Sequence, residues 1–518
     1  MRWDVPTELT TEEADVAKDL RRVGKFYVFL REIRRELFDE EFERLLEEGY
    51  GKARGTAPLP AALLATVTLL QAYDQVSDAE AVVTAKMDKR WQLVLGCLGA
   101  TKAPYSQGVL VDFRERMVAH DLDRKLLDRT VELAKRTGKF GWQHLKVALD
   151  SSPLLGAGRV LDTWNLIGKA LSTVVDCAAK TLGRSRDEVV EEAGLSVLRG
   201  PSIKAALDID WDDPEQKDEA LQVLLAEVDR LESWVKKHAG DRAEQPPLRE
   251  ALVALKRVLE QDLEPDPTDG KRKIRRGVAR DRMPSLGDRE MRHGRKSKSR
   301  PFTGYKRHIA RAAGAGVIVG AVVLPANQPE HEAVRPLLDD THRHGDTSEL
   351  FIDRGYLASP DIEVARTAGV AVRCKPWPAR NQGRFTKEDF VLDLANRRVT
   401  CPASQTVPIQ DRACGVHFPA AVCDPCDLRS RCTTSRNGRS VAIHPQEGLL
   451  IELRARRKTS EGRRELRQRV PVEHSLARIG QVQGTRARYK GARKNTLDLR
   501  RCAAIANLQD LARLRLAV

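Results

Sequence analysis

The sequence has no apolar run long enough to span a bilayer and no amino-terminal stretch with the make-up of a secretory leader. Both absences point away from a membrane. Cysteine is scarce, nine in 518 residues, and unevenly placed. Cys97, Cys177, Cys374 and Cys502 stand alone in apolar surroundings and read as small hydrophobes. The other five lie between Cys401 and Cys432, and without a leader that cluster points to a metal before disulfides. Acidic residues are outnumbered, 74 against 89 Lys and Arg. The deficit is local: residues 171–270 hold 23 acids and 13 bases, residues 271–300 hold 3 and 13, and residues 451–501 hold 5 and 16. One charge run usually means a solvated face. Two basic segments flanking other features suit a polyanionic partner, most simply nucleic acid.

The length allows roughly two to four domains. Residues 1–140 read as an all-α domain. Thr10 and Thr11 before Glu12 and Glu13 form an N-cap signal, and Phe26, Phe29, Leu30, Ile33 and Leu37 recur at helical spacing. Pro58 and Pro60 open an alanine- and leucine-rich helix over 61–73. Such a domain serves DNA binding or dimerisation equally well.

From His144 the period changes. Leu145, Val147 and Leu149 alternate, and Asp150 is expected to end this strand, with Ser151, Ser152 and Pro153 breaking it. Residues 171–300 then read as an insertion. Two leucine-striped helices, one through Leu221, Leu224, Val228 and Leu231 and one through Leu248, Leu252, Leu255 and Leu259, predict an antiparallel helical hairpin. Residues 264–300 are expected to be an irregular basic segment. A β-hairpin over 304–308 and 316–324 follows, then a helix over 329–344. Leu350, Phe351 and Ile352 run straight into Asp353, with Gly355 two places on. That is a buried strand ending in a tight turn, with a carboxylate at its C-terminal edge that needs a cation or metal. A helix over 360–367 and a strand over 370–374 complete a mixed sheet in which the two acid-bearing strands can lie side by side. By analogy at the level of fold, this α/β layout over 141–376 is that of an RNase H-like core.

Residues 377–450 carry the cysteines. Cys401, Cys423, Cys426 and Cys432, spaced C-x21-C-x2-C-x5-C, suit a closed, structural zinc site, with Cys414 a spare for Cys401. Residues 451–518 read as basic helices. Pro471 opens one whose face bears Val472, Leu476 and Ile479, with Glu473 adjacent. Gly491, Arg493 and Lys494 fall in a turn whose amides and side chains suit phosphates.

Four local patterns then converge on a family. They are Ala148-Leu149-Asp150-Ser151-Ser152-Pro153 with Asp162-Thr163-Trp164-Asn165, Gly304-Tyr305-Lys306-Arg307-His308-Ile309, Ile352-Asp353-Arg354-Gly355-Tyr356, and Arg469-Val470-Pro471-Val472-Glu473-His474 with Tyr489-Lys490-Gly491 behind it. In this order the chain resembles the DDE transposases of bacterial insertion sequences. The resemblance implies an RNase H-like core with an N-terminal helical domain and a small zinc-ribbon-like insertion. It implies Asp150, Asp353 and Glu473 as catalytic ligands of two Mg²⁺ or Mn²⁺ ions, with Asp353 placed to bridge them. Glu461 and Glu465 are the neighbouring alternatives to Glu473. The implied DNA contacts are Arg354, Arg469, Arg486, Tyr489, Lys490, Arg493 and Lys494. The implied partners are terminal inverted repeats and target DNA, held by a homodimer on paired ends in the bacterial cytoplasm, at the nucleoid. Where many relatives carry tyrosine and lysine in the last motif this chain has Leu466 and Gly480, with Gln481, Gln483 or Arg486 as substitutes. Two further readings stay open: a transposase-derived DNA-binding protein without catalysis, and an RNase H-like nuclease without strand transfer.

The chemistry agrees with the resemblance. In-line attack on a phosphodiester uses two divalent ions about 3.5–4 Å apart, and Mg²⁺ prefers carboxylates plus substrate phosphates to a full protein cage.

Overall fold

The computed structural model describes residues 3, 6–48, 50, 58–138, 142, 144–410 and 415–516. Eight helices open the chain: α1 (Thr11–Asp19), α2 (Lys25–Leu37), α3 (Glu40–Glu47), α4 (Ala61–Asp74), α5 (Asp78–Met87), α6 (Lys89–Leu95), α7 (Gln107–Ala119) and α8 (Leu122–Arg136). Their starts follow local chemistry. Thr10 and Glu13 form a reciprocal capping box at α1, and Ser77 and Glu80 do so at α5. Helix α4 is buried from Ala61 to Ala72, as a helix apolar on every side must be. No helix among the described residues is long and apolar enough to cross a membrane.

Strand β1 (His144–Leu155) comes next, then α9 (Thr163–Leu182), α10 (Arg186–Glu192), α11 (Ile203–Leu207), α12 (Pro214–Ala239), α13 (Leu248–Asp262) and a small hairpin of β2 (Leu263–Pro265) and β3 (Arg272–Ile274). The leucine stripes of α12 and α13 do face a core, but a third helix shares it. Ile167, Leu171 and Val174 of α9 pack with Leu224, Val228 and Leu231 of α12 and with Leu255 and Val258 of α13. The expected two-helix hairpin is thus a bundle built on α9.

The central sheet adds β4 (Arg292–Ser297), β5 (Arg300–Ala312), β6 (Ile318–Pro325), β7 (Asp346–Ile352) and β8 (Ala371–Cys374), with α14 (Val334–His342) and α15 (Pro360–Thr367) in the crossovers. Across the sheet the strands run β6, β5, β1, β7, β8. β1, β5 and β6 are antiparallel, and β7 and β8 lie parallel to β1. β4 pairs with the first residues of β5, ahead of β6. The two acid-bearing strands are therefore neighbours, as the sequence pattern predicts.

Two expectations need correction here. Asp150 does not end its strand: β1 continues to Leu155, paired with β5 from Asp150↔Ile309 to Leu155↔Gly304. β7 stops pairing at Ala148, so one edge of β1 is open beyond it. The Leu155 N–H points to that edge, where it donates to the Thr485 carbonyl at 2.9 Å. Pro153, two residues earlier, has its missing N–H on the same edge and costs the ladder nothing. The basic segment 264–300 is not irregular throughout either. It holds β4, whose Arg-His-Gly-Arg-Lys-Ser run has no apolar alternation because its last residues are exposed.

Two small sheets follow, β9 (Val391–Asp393), β10 (Arg398–Thr400) and β11 (Thr406–Pro408) in one, β12 (Gly415–Pro419) and β13 (Gly438–Ala442) in the other. Between β12 and β13 lie α16 (Ala420–Cys423) and α17 (Arg429–Cys432). Phe390, Val399, Val416, Phe418 and Val441 give this unit its own core. Helices α18 (Glu447–Lys458), α19 (Ser460–Leu466), α20 (Val470–Gln483) and α21 (Ala492–Leu516) close the chain. α21 packs on β6, α8 and α4. Asn507, in its middle, accepts the Ile318 N–H at 2.8 Å and donates to the Ile318 C=O at 2.9 Å and to the Thr130 hydroxyl oxygen at 3.0 Å. It satisfies buried backbone at the start of β6 and ties sheet, α8 and α21 together.

Candidate active site

Asp150, Asp353 and Glu473 reach one cleft of about 550 Å³ from three separate elements. Asp150 comes from β1, just past the last residue paired with β7. Asp353 follows the end of β7 and caps the 3-10 turn Arg354–Tyr356, accepting the Arg354 N–H at 2.9 Å. Glu473 comes from the first turn of α20, which Pro471 helps to start. The alternatives lie elsewhere. Glu465 is bound to Arg456 at 2.5 Å and Arg373 at 3.2 Å, and neither it nor Glu461 lines the cleft.

Arg469 stands among the three acids. Its guanidinium donates to Asp150 at 3.2 Å and to Glu473 at 2.6 Å, and the Asp353 charge also acts on it. The cost of burying Asp150 is nonetheless visible. Desolvation raises its carboxyl pKa, Arg469 works against that rise, and Glu473 adds to it. Among the described residues no three His, Cys, Asp or Glu side chains are gathered so that they could hold a metal ion as they stand. In the cleft, a guanidinium lies between the acids. The donor set nevertheless fits a hard divalent cation, since it consists of carboxylate oxygens arranged around one positive charge.

The opposite wall is basic. Arg295 and Lys296 of β4 and Lys306 and Arg307 of β5 line the cleft with Phe302. The composition of residues 271–300 pointed to a polyanion, but only the edge strand β4 brings those charges to the carboxylates. Arg307 also bears on the missing lysine. Gly480 lies in the cleft wall, and a Cβ added there would sit 3.3 Å from the Arg307 guanidinium. A cation from β5 thus stands beside the position where relatives carry one on the helix. Gln483 is engaged with Arg307 at 3.1 Å and Asp498 at 3.1 Å, and the Gln481 carbonyl accepts from Gln75.

Beneath the cleft lies a neutral floor. Tyr356 is fully buried, with its hydroxyl 3.0 Å from His308 Nδ1. Burial draws the His308 pKa down to about 3. Tyr356 is a packing residue.

The other proposed DNA contacts are spread out. Arg354 lies over the Trp377 ring, 5.7 Å from its centre. Arg486 donates to the Gly156 carbonyl at 3.0 Å, and Tyr489 is flanked by the guanidiniums of Arg114 and Arg501. Lys490 opens onto a separate cleft of about 800 Å³ beside the helical bundle. Lys494 is half-exposed, loosely paired with Glu115 at 3.9 Å. Arg493 is paired with Asp123 at 2.6 Å and Asp121 at 3.3 Å. The amides at the start of α21 are also occupied. Gly491 N–H donates to Asp288 at 3.1 Å and Ala492 N–H to Glu290 at 2.8 Å. Two carboxylates from the loop before β4 thus fill the anion-attracting helix start.

Cys401, Cys423, Cys426 and Cys432 line one small cavity of about 30 Å³, all half-buried and unbonded to one another. Burial raises the Cys432 thiol pKa, and the other three thiols add to the rise. Cys414 lies outside the described residues.

Two family models match the chain. Residues 400–512, which include Glu473, match the family described as transposase DDE domain. Residues 17–116 match the family described as transposase domain (DUF772). Both matched families are transposase families, and together they indicate an insertion-sequence DDE transposase. No curated protein and no solved structure matches it. The DDE match begins at residue 400 and so includes neither Asp150 nor Asp353.

Proposed function

We propose that the transposase binds the terminal inverted repeats of its element, as a homodimer on paired ends, and cleaves and joins DNA strands at an RNase H-like core. The observation that carries this reading is the meeting of Asp150, Asp353 and Glu473 around Arg469 in a cleft with a basic wall. The strand order β6, β5, β1, β7, β8, with its first three strands antiparallel and the rest parallel, supports the RNase H-like assignment. Asp150, Asp353 and Glu473 would hold two Mg²⁺ or Mn²⁺ ions. Bound there, such ions activate the attacking water or 3′-hydroxyl and stabilise the leaving oxygen.

The chain's own groups do the rest. Arg295, Lys296 and Lys306 draw the DNA backbone along β4 and β5 into the cleft. Arg469 exchanges its carboxylate partners for the scissile phosphate, which its planar fork suits. The buried floor of Tyr356 and His308 keeps the carboxylates level and offers no competing charge. Joining of a precut element end to plasmid DNA tests the whole reading. Joined product is expected, and cleavage without any joining would leave a nuclease.

The cysteine unit is proposed as a structural zinc site formed by Cys401, Cys423, Cys426 and Cys432, whose four thiolates would leave no open position. The purified protein is expected to carry about one zinc per chain, measured by elemental analysis. No zinc together with freely titratable thiols would end this proposal.

A further inference from the structure

We propose that Glu330 is a fourth carboxylate of the metal-holding cleft and allows a second divalent ion to bind before DNA arrives. This rests on the function proposed above. Glu330 lies in the 3-10 turn Glu330–Ala333 between β6 and α14 and lines the same cleft as Asp150, Asp353 and Glu473. Nothing in the sequence around it marked it out beyond the start of a helix.

Both strand-borne aspartates have a chain neighbour that touches Glu330. Ser151, next to Asp150, donates its hydroxyl to Glu330 Oε1 at 2.7 Å. Gly355, two residues after Asp353, is the other neighbour. A Cβ built on Gly355 would lie 1.9 Å from Glu330 Oε2. Gly355 has no left-handed backbone to explain it. Its lack of a side chain leaves space that the Glu330 carboxylate fills.

The carboxylate is half-buried, and among the described residues no ion pair engages it. The nearby Lys306 amino group bonds the Gln328 carbonyl at 2.9 Å instead. Among the described residues the Ser151 hydroxyl is the one hydrogen-bond donor to this carboxylate, which leaves its other oxygen lone pairs open to a cation. Charge counting indicates which cation. Three carboxylates leave two divalent ions one negative charge short, and Glu330 supplies that charge.

The test is a Mn²⁺ titration of the DNA-free, zinc-loaded protein, read by calorimetry, for wild type, Glu330→Gln, Gly355→Ala and Asp353→Asn. Glu330→Gln keeps the acceptor for Ser151 and loses the charge. Gly355→Ala displaces the carboxylate without altering any acid. The wild type is expected to take up two ions. In both Glu330→Gln and Gly355→Ala the second should bind about tenfold or more weakly, and Asp353→Asn should lose tight binding altogether. If Glu330→Gln binds both ions as the wild type does while Asp353→Asn fails, the role of Glu330 is overturned and the aspartate site stands. If the wild type binds no Mn²⁺ in the cleft, both are overturned.

Discussion

Asp353→Asn is expected to abolish DNA cleavage while leaving DNA binding in place. The carboxylate follows β7 and, among the described residues, accepts only the Arg354 N–H. Asparagine has the same shape and can keep that bond, so the turn over Arg354–Tyr356 should survive. What disappears is the charge that would hold the ions beside Asp150. Removing one element of a preorganised electrostatic site commonly costs about 10²–10³ in rate, and an acid shared by two ions belongs at the upper end or beyond. Cleavage of DNA carrying the element's ends, assayed with Mg²⁺ or Mn²⁺, should fall to background, while gel-shift affinity stays within about twofold, as expected for a charge with no direct phosphate contact. If wild type and variant both bind and neither cuts, the chain is a DNA-binding derivative. A variant that still cuts would remove Asp353 from the chemistry.

The second large effect concerns Arg469. Its guanidinium compensates Asp150, which is 15% exposed, and Glu473, which is 50% exposed. Arg469→Gln leaves Asp150 and Glu473 without the guanidinium that bonds them both. Breaking a buried pair costs roughly 3–5 kcal/mol, and the exposure of Glu473 puts this case toward the lower end of that range. The sign with pH follows from Asp150. Its pKa is already raised by burial, and Arg469 is the main group holding it down. Without Arg469 it rises further, so the destabilisation is fully present at neutral pH and shrinks as the carboxyl takes up a proton. Added Mg²⁺ or Mn²⁺ should then raise the melting temperature of the variant more than that of the wild type, because in the wild type an ion must displace a resident cation. Thermal melts with and without metal at neutral pH measure this. Equal stability and equal metal response would mean that Arg469 does not occupy the ion's place.

The part of this site that sequence could reveal is the part made by apolar strands. Leu350, Phe351 and Ile352 are buried, and their run into Asp353 marks a strand end whatever lies beside it. Asp150 was visible for the same reason. The end of its strand was not, because β1 continues through polar residues on the strength of β5's backbone bonds and an open edge at Pro153. The wall of Arg295 and Lys296 escaped because an exposed edge strand needs no hydrophobic period. Glu330 escaped because its meaning depends on Ser151 and Gly355, 179 and 25 positions away by their numbering, which meet it only in the folded sheet. The start of α21 shows the opposite error. Free amides at a basic turn suggested phosphate, but Asp288 and Glu290 had already been brought there by the loop before β4. Composition pointed to a polyanion, whereas the side chains that line the cleft are set by tertiary pairing.

The central claim is that the Asp150, Asp353 and Glu473 cleft is a metal site. Diffraction from crystals grown with Mn²⁺, using the metal's anomalous signal, tests it most directly. Mn²⁺ is expected between Asp150 and Asp353, with the Arg469 guanidinium moved off both Asp150 and Glu473. Saturating Mn²⁺ with no anomalous peak in the cleft, and Arg469 still bonded to both acids, would contradict it.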